Sequence, residues 1–276
     1  MWILDLKHGL RVLRKNPGFA WIVALTLAFG IGANVAIFSV VDSVLLRPLI
    51  FKESQSLVRI TSDLAGAKLT DAGLSVPELL DYRRLDDVFS GVSGLFPIDA
   101  NLTEVDQPER AEVNLVDIDF FAVLGIEAQL GRVFRAEDYR PGISEVAVIS
   151  DELWRRKFGG DPSVLGKKFR IDRDVYEVIG VAPRGFRMSG PTDADLWSPA
   201  GWLDSPFSTT PVRRAYFLRG ALARLRPGVT LDAAQARLDG LAVELRRLYP
   251  DDYPKGSGWN PRLVPLKDDV VGQVRP

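Results

Sequence analysis

The chain has 276 residues, 46% hydrophobic and 26% charged, with a formal net charge of −1 and no cysteine. That composition is globular rather than disordered, and the missing thiols exclude a disulfide framework, a thiolate zinc site and a cysteine nucleophile. Lys7, Arg11, Arg14 and Lys15 against Asp5 make residues 1–18 basic and leave the rest acidic, which excludes the basic face that nucleic acid requires.

Residues 1–18 read as a cytoplasmic amphipathic arm. Ile3, Leu6, Leu10 and Leu13 fall at helical spacing, with Lys7, Arg11, Arg14 and Lys15 off that stripe, so the arm lies in the inner headgroup layer with its cations toward lipid phosphates. His8, the sole histidine, is an interfacial surface residue there. Asn16-Pro17-Gly18 breaks the arm and turns the chain into the membrane. Phe19 to Val41 is then an uncharged apolar run that as a helix measures about 35 Å, enough to cross a hydrocarbon core of about 30 Å. No other stretch of the chain does so. Lys and Arg cluster before this run, with only Arg47 and Lys52 soon after, so the N-terminus stays in the cytoplasm and the body lies outside the inner membrane. A cleaved signal peptide is the rival reading. Its apolar core would be about 7–15 residues with a small-x-small cleavage site, whereas this run is longer and ends in Ser39-Val40-Val41-Asp42.

Ala24, Ala28, Gly32 and Ala36 recur every four residues along the run, a stripe along which another helix can approach closely. Gly30 and Asn34 lie on a different face. Gly and Ala are common in membrane helices in any case, but an Asn amide in hydrocarbon is costly unless a partner bonds it. The sharper of the two readings is a bundle whose other helices are not in this chain.

Residues 42–56 read as a stalk. In the body, Leu57 to Thr61 is a strand, and Ser75-Val76-Pro77-Glu78 has capping-box spacing for a helix running to about Phe89. Arg110 to Val116 alternates as a strand, and Asp119 to Leu124 is a short helix closed by Gly125. Glu145 to Ser150 is a strand, Asp151 to Phe158 a helix stopped by Gly159-Gly160, and Lys168 to Asp172 with Asp174 to Val181 a hairpin. Arg214 to Leu225 is extended. Leu231, Ala234, Leu238, Leu241, Leu245 and Leu248 then mark the clearest amphipathic helix, with Thr230 as N-cap. Leu263 to Leu266 is a last strand. The order predicts an α+β body of two β-α-β halves, residues 57–124 and 211–276, flanking a β-rich insert at 125–210.

No residue pattern for catalysis emerges. There is no Gly-rich phosphate loop with Lys-Ser/Thr, no histidine metal motif and no Gly-x-Ser-x-Gly elbow. The expectation is no catalytic, cofactor or metal site. Asp86-Asp87, Asp251-Asp252 and Asp268-Asp269 read as solvated surface, and Trp197 and Trp202 as packing residues rather than a ligand groove.

Several segments together resemble the MacB/FtsX-type ABC transporter permeases with a MacB-like periplasmic core domain. They are Leu10-Arg11 through Arg14-Lys15-Asn16-Pro17-Gly18-Phe19, Gly30-Ile31-Gly32-Ala33-Asn34, Ala36-Ile37-Phe38-Ser39-Val40 and Leu45-Leu46-Arg47-Pro48-Leu49. Further on come Leu130-Gly131-Arg132 with Phe134, Phe158-Gly159-Gly160-Asp161-Pro162, Tyr176 with Val178-Ile179-Gly180-Val181, and Pro227-Gly228-Val229-Thr230. The opening is similar to the duplicated orphan branch of that family. The resemblance implies a first transmembrane helix feeding a discontinuous porter-like subdomain with an inserted β-rich one. It further implies at least three later spans, which Val270 to Pro276 would approach. Implied partners are the bilayer, a separate cytoplasmic ATPase, further helices of the same permease or a second copy, and a periplasmic adaptor. The implied role is coupling that ATPase to movement of the periplasmic domain, with no hydrolysis by this chain. A single-span binding or sensor module without an ATPase is the alternative.

Overall fold

A computed structural model of the chain describes residues 17–41, 51–102, 109–139, 145–186, 194–201 and 218–272, with 19, 20, 23, 24, 33, 34, 36–41 and 270–272 described by backbone alone. The chain divides into two units, Met1–Pro48 and Leu49–Pro276. In the first, helix α1 spans Pro17–Val41, 25 residues. Pro17 suits the first turn because its fixed φ is helical and its missing N–H would have had no partner there. Thr26 donates its hydroxyl to the Ile22 carbonyl at 2.8 Å, which satisfies it within the helix. Trp21, Leu25, Leu27, Phe29 and Ile31 are all exposed. Apolar side chains on every side of a helix leave no polar face for water. Among residues described with their side chains no helix is long and apolar enough to cross a membrane; α1 has such side chains over part of its length.

The second unit runs β1 (Leu57–Leu64), α2 (Val76–Arg83), β2 (Phe89–Leu102), β3 (Glu109–Val116), α3 (Phe120–Leu124), β4 (Leu130–Gly131), β5 (Val146–Ile149), α4 (Asp151–Phe158), β6 (Lys168–Ile171), β7 (Asp174–Val181), β8 (Leu196–Pro199), β9 (Gly220–Leu225), α5 (Leu231–Leu248), β10 (Trp259–Pro265) and α6 (Leu266–Gly272). Among the described residues these strands form one sheet in the order β10-β1-β9-β2-β3-β8-β5-β7-β4, with β6 against β7 and the end of β2. The first four are each antiparallel to their neighbours and interleave two units, β1-α2-β2 and β9-α5-β10, as a split β-α-β arrangement. The rest of the sheet joins through the parallel pair β3–β8. The body is a mixed α/β fold.

Both faces of the sheet are covered. On one, Val58 and Ile60 of β1 and Ala221 and Ala223 of β9 lie in a core with Leu79 and Tyr82 of α2 and Ala234 and Leu238 of α5. On the other, Leu57, Leu222 and Val148 meet Phe120, Phe121, Phe186 and Trp197. The Phe121 ring contacts Phe120, Phe134, Phe186 and Trp197 with centroids 5.1, 5.4, 5.8 and 5.8 Å away. Trp197 is a packing residue, as its sequence context implies; Trp202 lies outside the described residues.

Local sequence explains the helix starts. The Ser75 hydroxyl accepts from the Glu78 amide at 3.4 Å while the Ser75 amide donates to the Glu78 carboxylate at 2.6 Å, the reciprocal capping box. The Thr230 hydroxyl accepts from the Ala233 amide at 3.2 Å. Three sequence expectations need correction. Helix α2 ends at Arg83, not near Phe89, because Leu85, Val88 and Phe89 turn into the core and Phe89 already opens β2. The final strand is Trp259–Pro265 and Leu266 begins a helix. Strand β2 itself is missed because Gly91, Gly94 and Pro97 break any strand pattern. Gly91 is needed there: a Cβ on it would meet the Val123 side chain at 2.8 Å, at a register shift opposite β9.

Phe121 sits at the centre of the aromatic cluster, so Phe121→Ala should destabilise the body by about 3–5 kcal/mol. Val243→Ala, on the exposed face of α5, should stay within about 0.5 kcal/mol. Urea unfolding of both variants checks this, and equal costs would place Phe121 outside the core.

Candidate functional site

Phe51 is the first described residue of the body and α6 its last described element. Phe51, Leu57 and Leu266 share one buried cluster, so the entry segment, the start of β1 and the start of α6 meet at one place. Two arginines organise it.

Arg59 stands in the otherwise apolar start of β1 and is only 9% exposed. Its Nε and Nη2 donate side-on to the two carboxylate oxygens of Asp269 on α6, at 2.9 and 2.7 Å. Its Nη1 donates to Oδ1 of Asp71 at 2.6 Å. The same oxygen accepts from the Thr61 hydroxyl at 2.7 Å. The Asp71 amide donates to Asp63 at 3.0 Å, and Asp63 in turn receives Arg262 Nε of β10 at 3.1 Å. One guanidinium thus ties three elements: β1, α6 and the loop between β1 and α2.

Electrostatics follow from this geometry. Burial alone would pull the Arg59 guanidinium down, and its bonds to Asp71 and Asp269 outweigh that and hold it above its ordinary value. Burial pushes the Asp71 carboxyl up, and the bonds from Arg59 and Thr61 more than reverse it, leaving it below the usual carboxylate range. Asp71 also holds a left-handed backbone, φ 61°, unusual for a residue with a Cβ.

Arg224 of β9 secures the entry turn. Its Nη1 donates to the Ser56 hydroxyl at 2.7 Å and its Nε to the Val123 carbonyl of α3 at 2.8 Å. Burial depresses this guanidinium, opposed by the charge of Glu53. Its Nη2 is buried without a hydrogen-bond partner.

A concavity lies between α2 and α5, lined by Leu85, Leu241, Leu245, Tyr249 and the charged Arg84 and Glu244. Its volume of ≈ 220 Å³ falls below the roughly 300–1,000 Å³ of small-molecule sites. Among the described residues no group of His, Asp and Glu is placed to hold a metal ion.

The residues singled out by sequence fall elsewhere. Lys7, Arg11, Arg14 and Lys15 lie outside the described residues, as do the side chains of Ala24, Asn34 and Ala36. Ala28, Gly30 and Gly32 are exposed on α1, and a Cβ on either glycine would touch nothing within 4 Å. Asp269 corrects the reading of Asp268-Asp269 as solvated: Asp268 is exposed, but the Asp269 side chain is 16% exposed and ion-paired. Asp87 also has a partner, Arg237 at 2.9 Å. The one sequence signal for the site was a charged residue inside the apolar stretch Leu57 to Ile60. The partners of Arg59 lie 12 and 210 residues away, beyond any local pattern.

The body is a mixed α/β fold whose first strand and last described helix are tied together by Arg59. The model of the MacB-like periplasmic core domain matches residues 20–241, and the chain belongs to that family. Among curated proteins it is 27% identical over 191 residues to the macrolide export ATP-binding/permease protein MacB of Chlorobium phaeobacteroides, covering 69% of this chain and 28% of that protein. It is 24% identical over 247 residues to the MacB of Chlorobium luteolum, covering 88% and 35%. The chain therefore spans about a third of the length of these relatives. The periplasmic region of MacB from Actinobacillus actinomycetemcomitans shares the fold at TM-score 0.55 and 13% identity, covering 81% of this chain and 95% of that one. The extracellular domain of the noncanonic ABC-type transporter YknZ does so at TM-score 0.53 and 16% identity, covering 75% and 99%.

Arg59→Met leaves Asp269 mostly buried without a counter-charge, while the half-exposed Asp71 regains water. A fully buried broken pair costs about 3–5 kcal/mol and a surface pair about 0–1, so a loss of about 2 kcal/mol in denaturant unfolding is expected. The acid limb of stability carries a second check. Since the folded Asp71 carboxyl lies below its unfolded value of about 3.9, its contribution is complete above that pH. It is lost as pH falls through the lower, folded value. Asp71→Asn should therefore lose stability at pH 7 and show a shallower further loss below pH about 4; parallel acid limbs in the two proteins would contradict the assignment.

Proposed function

We propose that this chain supplies the first span and the periplasmic body of an ABC-type permease, which couples a separate cytoplasmic ATPase to movement of that body. The observation that carries this reading is the extent of the family match, which begins inside α1 and runs through the body into α5. The uncharged 25-residue α1 supports a span, and the basic residues ahead of it support a cytoplasmic N-terminus and a body outside the inner membrane. The name ATP-binding/permease protein on the curated relatives supports an ATP-driven partner, and this chain has no phosphate loop of its own. In this reading residues 42–56 are the stalk, 57–124 and 211–276 the porter-like halves, and 125–210 the inserted lobe. Ala24, Ala28, Gly30, Gly32, Asn34 and Ala36 pack against further helices of the permease or a second copy. Lys7, Arg11, Arg14 and Lys15 rest on the lipid headgroups. A periplasmic adaptor would meet the body.

The full gene product, expressed in its host, should remain in carbonate-washed membranes. Its body should be cut by protease added to spheroplasts, and an ABC ATPase should purify with it. Release by carbonate would overturn the span. Retention without any ATPase would favour the single-span binding module. Asn34→Leu or Gly32→Ile should reduce recovery of that ATPase at least several-fold while leaving the protease-resistant body intact, since an unpaired amide or an overfilled helix contact costs about 1–3 kcal/mol.

A further inference from the structure

Resting on the coupling reading, we propose that Arg59 is a relay that reports the position of α6 to the loop Ala65–Gly73, two elements that share this one guanidinium. The planar guanidinium has its N–H groups in a fixed fork. Nε and Nη2 are committed to Asp269 and Nη1 to Asp71, so both carboxylates lie against one rigid plane. If α6 is drawn away, two of the N–H groups in a nearly buried site lose their acceptor. The remaining carboxylate is Asp71, and the guanidinium turns toward it for side-on pairing. That turn takes Asp71 Oδ1 from the Thr61 hydroxyl it now accepts from.

The loop is placed to respond. Lys68 and Asp71 both hold left-handed backbone, at φ 54° and 61°, a conformation that non-glycine residues keep only when their surroundings impose it. At Asp71 the carboxylate is fixed by Arg59 and Thr61. Beyond Asp71 the loop is tied to β1 by the Asp71 amide on Asp63 and by the Ala72 amide on the Ser62 carbonyl at 2.7 Å. Leu69 is also paired with Leu64 of β1, by backbone hydrogen bonds of 2.8 and 3.1 Å, while its side chain is 52% exposed. The described side chains of α6 turned into the body are Leu266 and Asp269, while Lys267 and Asp268 face outward. Displacement of α6 therefore reaches the loop through Asp269.

Hydrogen exchange on the full chain in detergent tests the relay without ATP or a partner, so its failure would leave the permease assignment standing. Asp269→Asn should speed exchange of the Asp71 and Ala72 amides about tenfold, as expected for residues of one coupled network. Lys267→Ala, on the outer face of the same helix, should leave both unchanged. Arg59→Lys keeps the charge but not the fork and should act like Asp269→Asn. Faster exchange in α6 with unchanged Asp71 and Ala72 amides would overturn the proposal. Should Asp269→Asn also accelerate α5, a sign of general loosening, Asp269→Glu decides by the same two amides: faster exchange there with α5 unchanged supports the relay, and anything else ends it.

Discussion

Strand β9 lies between β1 and β2, and the rest of the body depends on that insertion. Without it, β1 and β2 have no hydrogen-bond partner between them, and neither β-α-β unit possesses a sheet of its own. Both flanks of β1 and the flank of β2 away from β3 are thus satisfied only when the chain returns after residue 218. Residues 130–199 are consequently enclosed between two crossings of the same sheet. Their strands extend it from β3 through β8, and they add Trp197, Phe134 and Phe186 to the core on the side away from α2 and α5.

Interleaving leaves β10 as an edge, and exposed edges invite pairing with other chains. Here α5 closes it. The Gln235 side chain accepts from the Leu263 amide at 2.8 Å and donates to the Pro261 carbonyl at 3.1 Å, reproducing the bonds of an absent strand. Arg246 donates to the Trp259 carbonyl, and Pro261 and Pro265 offer no N–H at all. These contacts oppose the addition of a further strand at β10.

Where order is local, it can be read from sequence. Ser75 with Glu78, Thr230 with the leucine stripe, and Gly125 and Gly159 at φ 67° and 64° all act within a turn of their own position. What escapes is order that depends on distant chain. Strand β2 carries Gly91 because Val123 of α3 lies against it, β8 is a four-residue strand fixed by β3 and β5, and α6 begins on a Leu266 buried with Phe51. The Arg59 cluster escapes for the same reason. Asp269 sits in an ordinary acidic pair, and only the fold brings it to Arg59.

A cluster of three charges is a poor way to gain stability, since the attraction it recovers is largely offset by the water its members give up. Apolar side chains of similar volume at Arg59, Asp71 and Asp269 would hold α6 at least as firmly. They would also hold it with forgiving geometry, because apolar contact is non-directional and tolerates sliding. The guanidinium fork does neither. It accepts its carboxylates in one plane and at one distance, so small shifts of α6 change which bonds exist rather than merely weakening them. Leu266 supplies the adhesion at this junction, and the charged cluster supplies definition of position. The junction thus combines adhesion that tolerates sliding with a contact that does not.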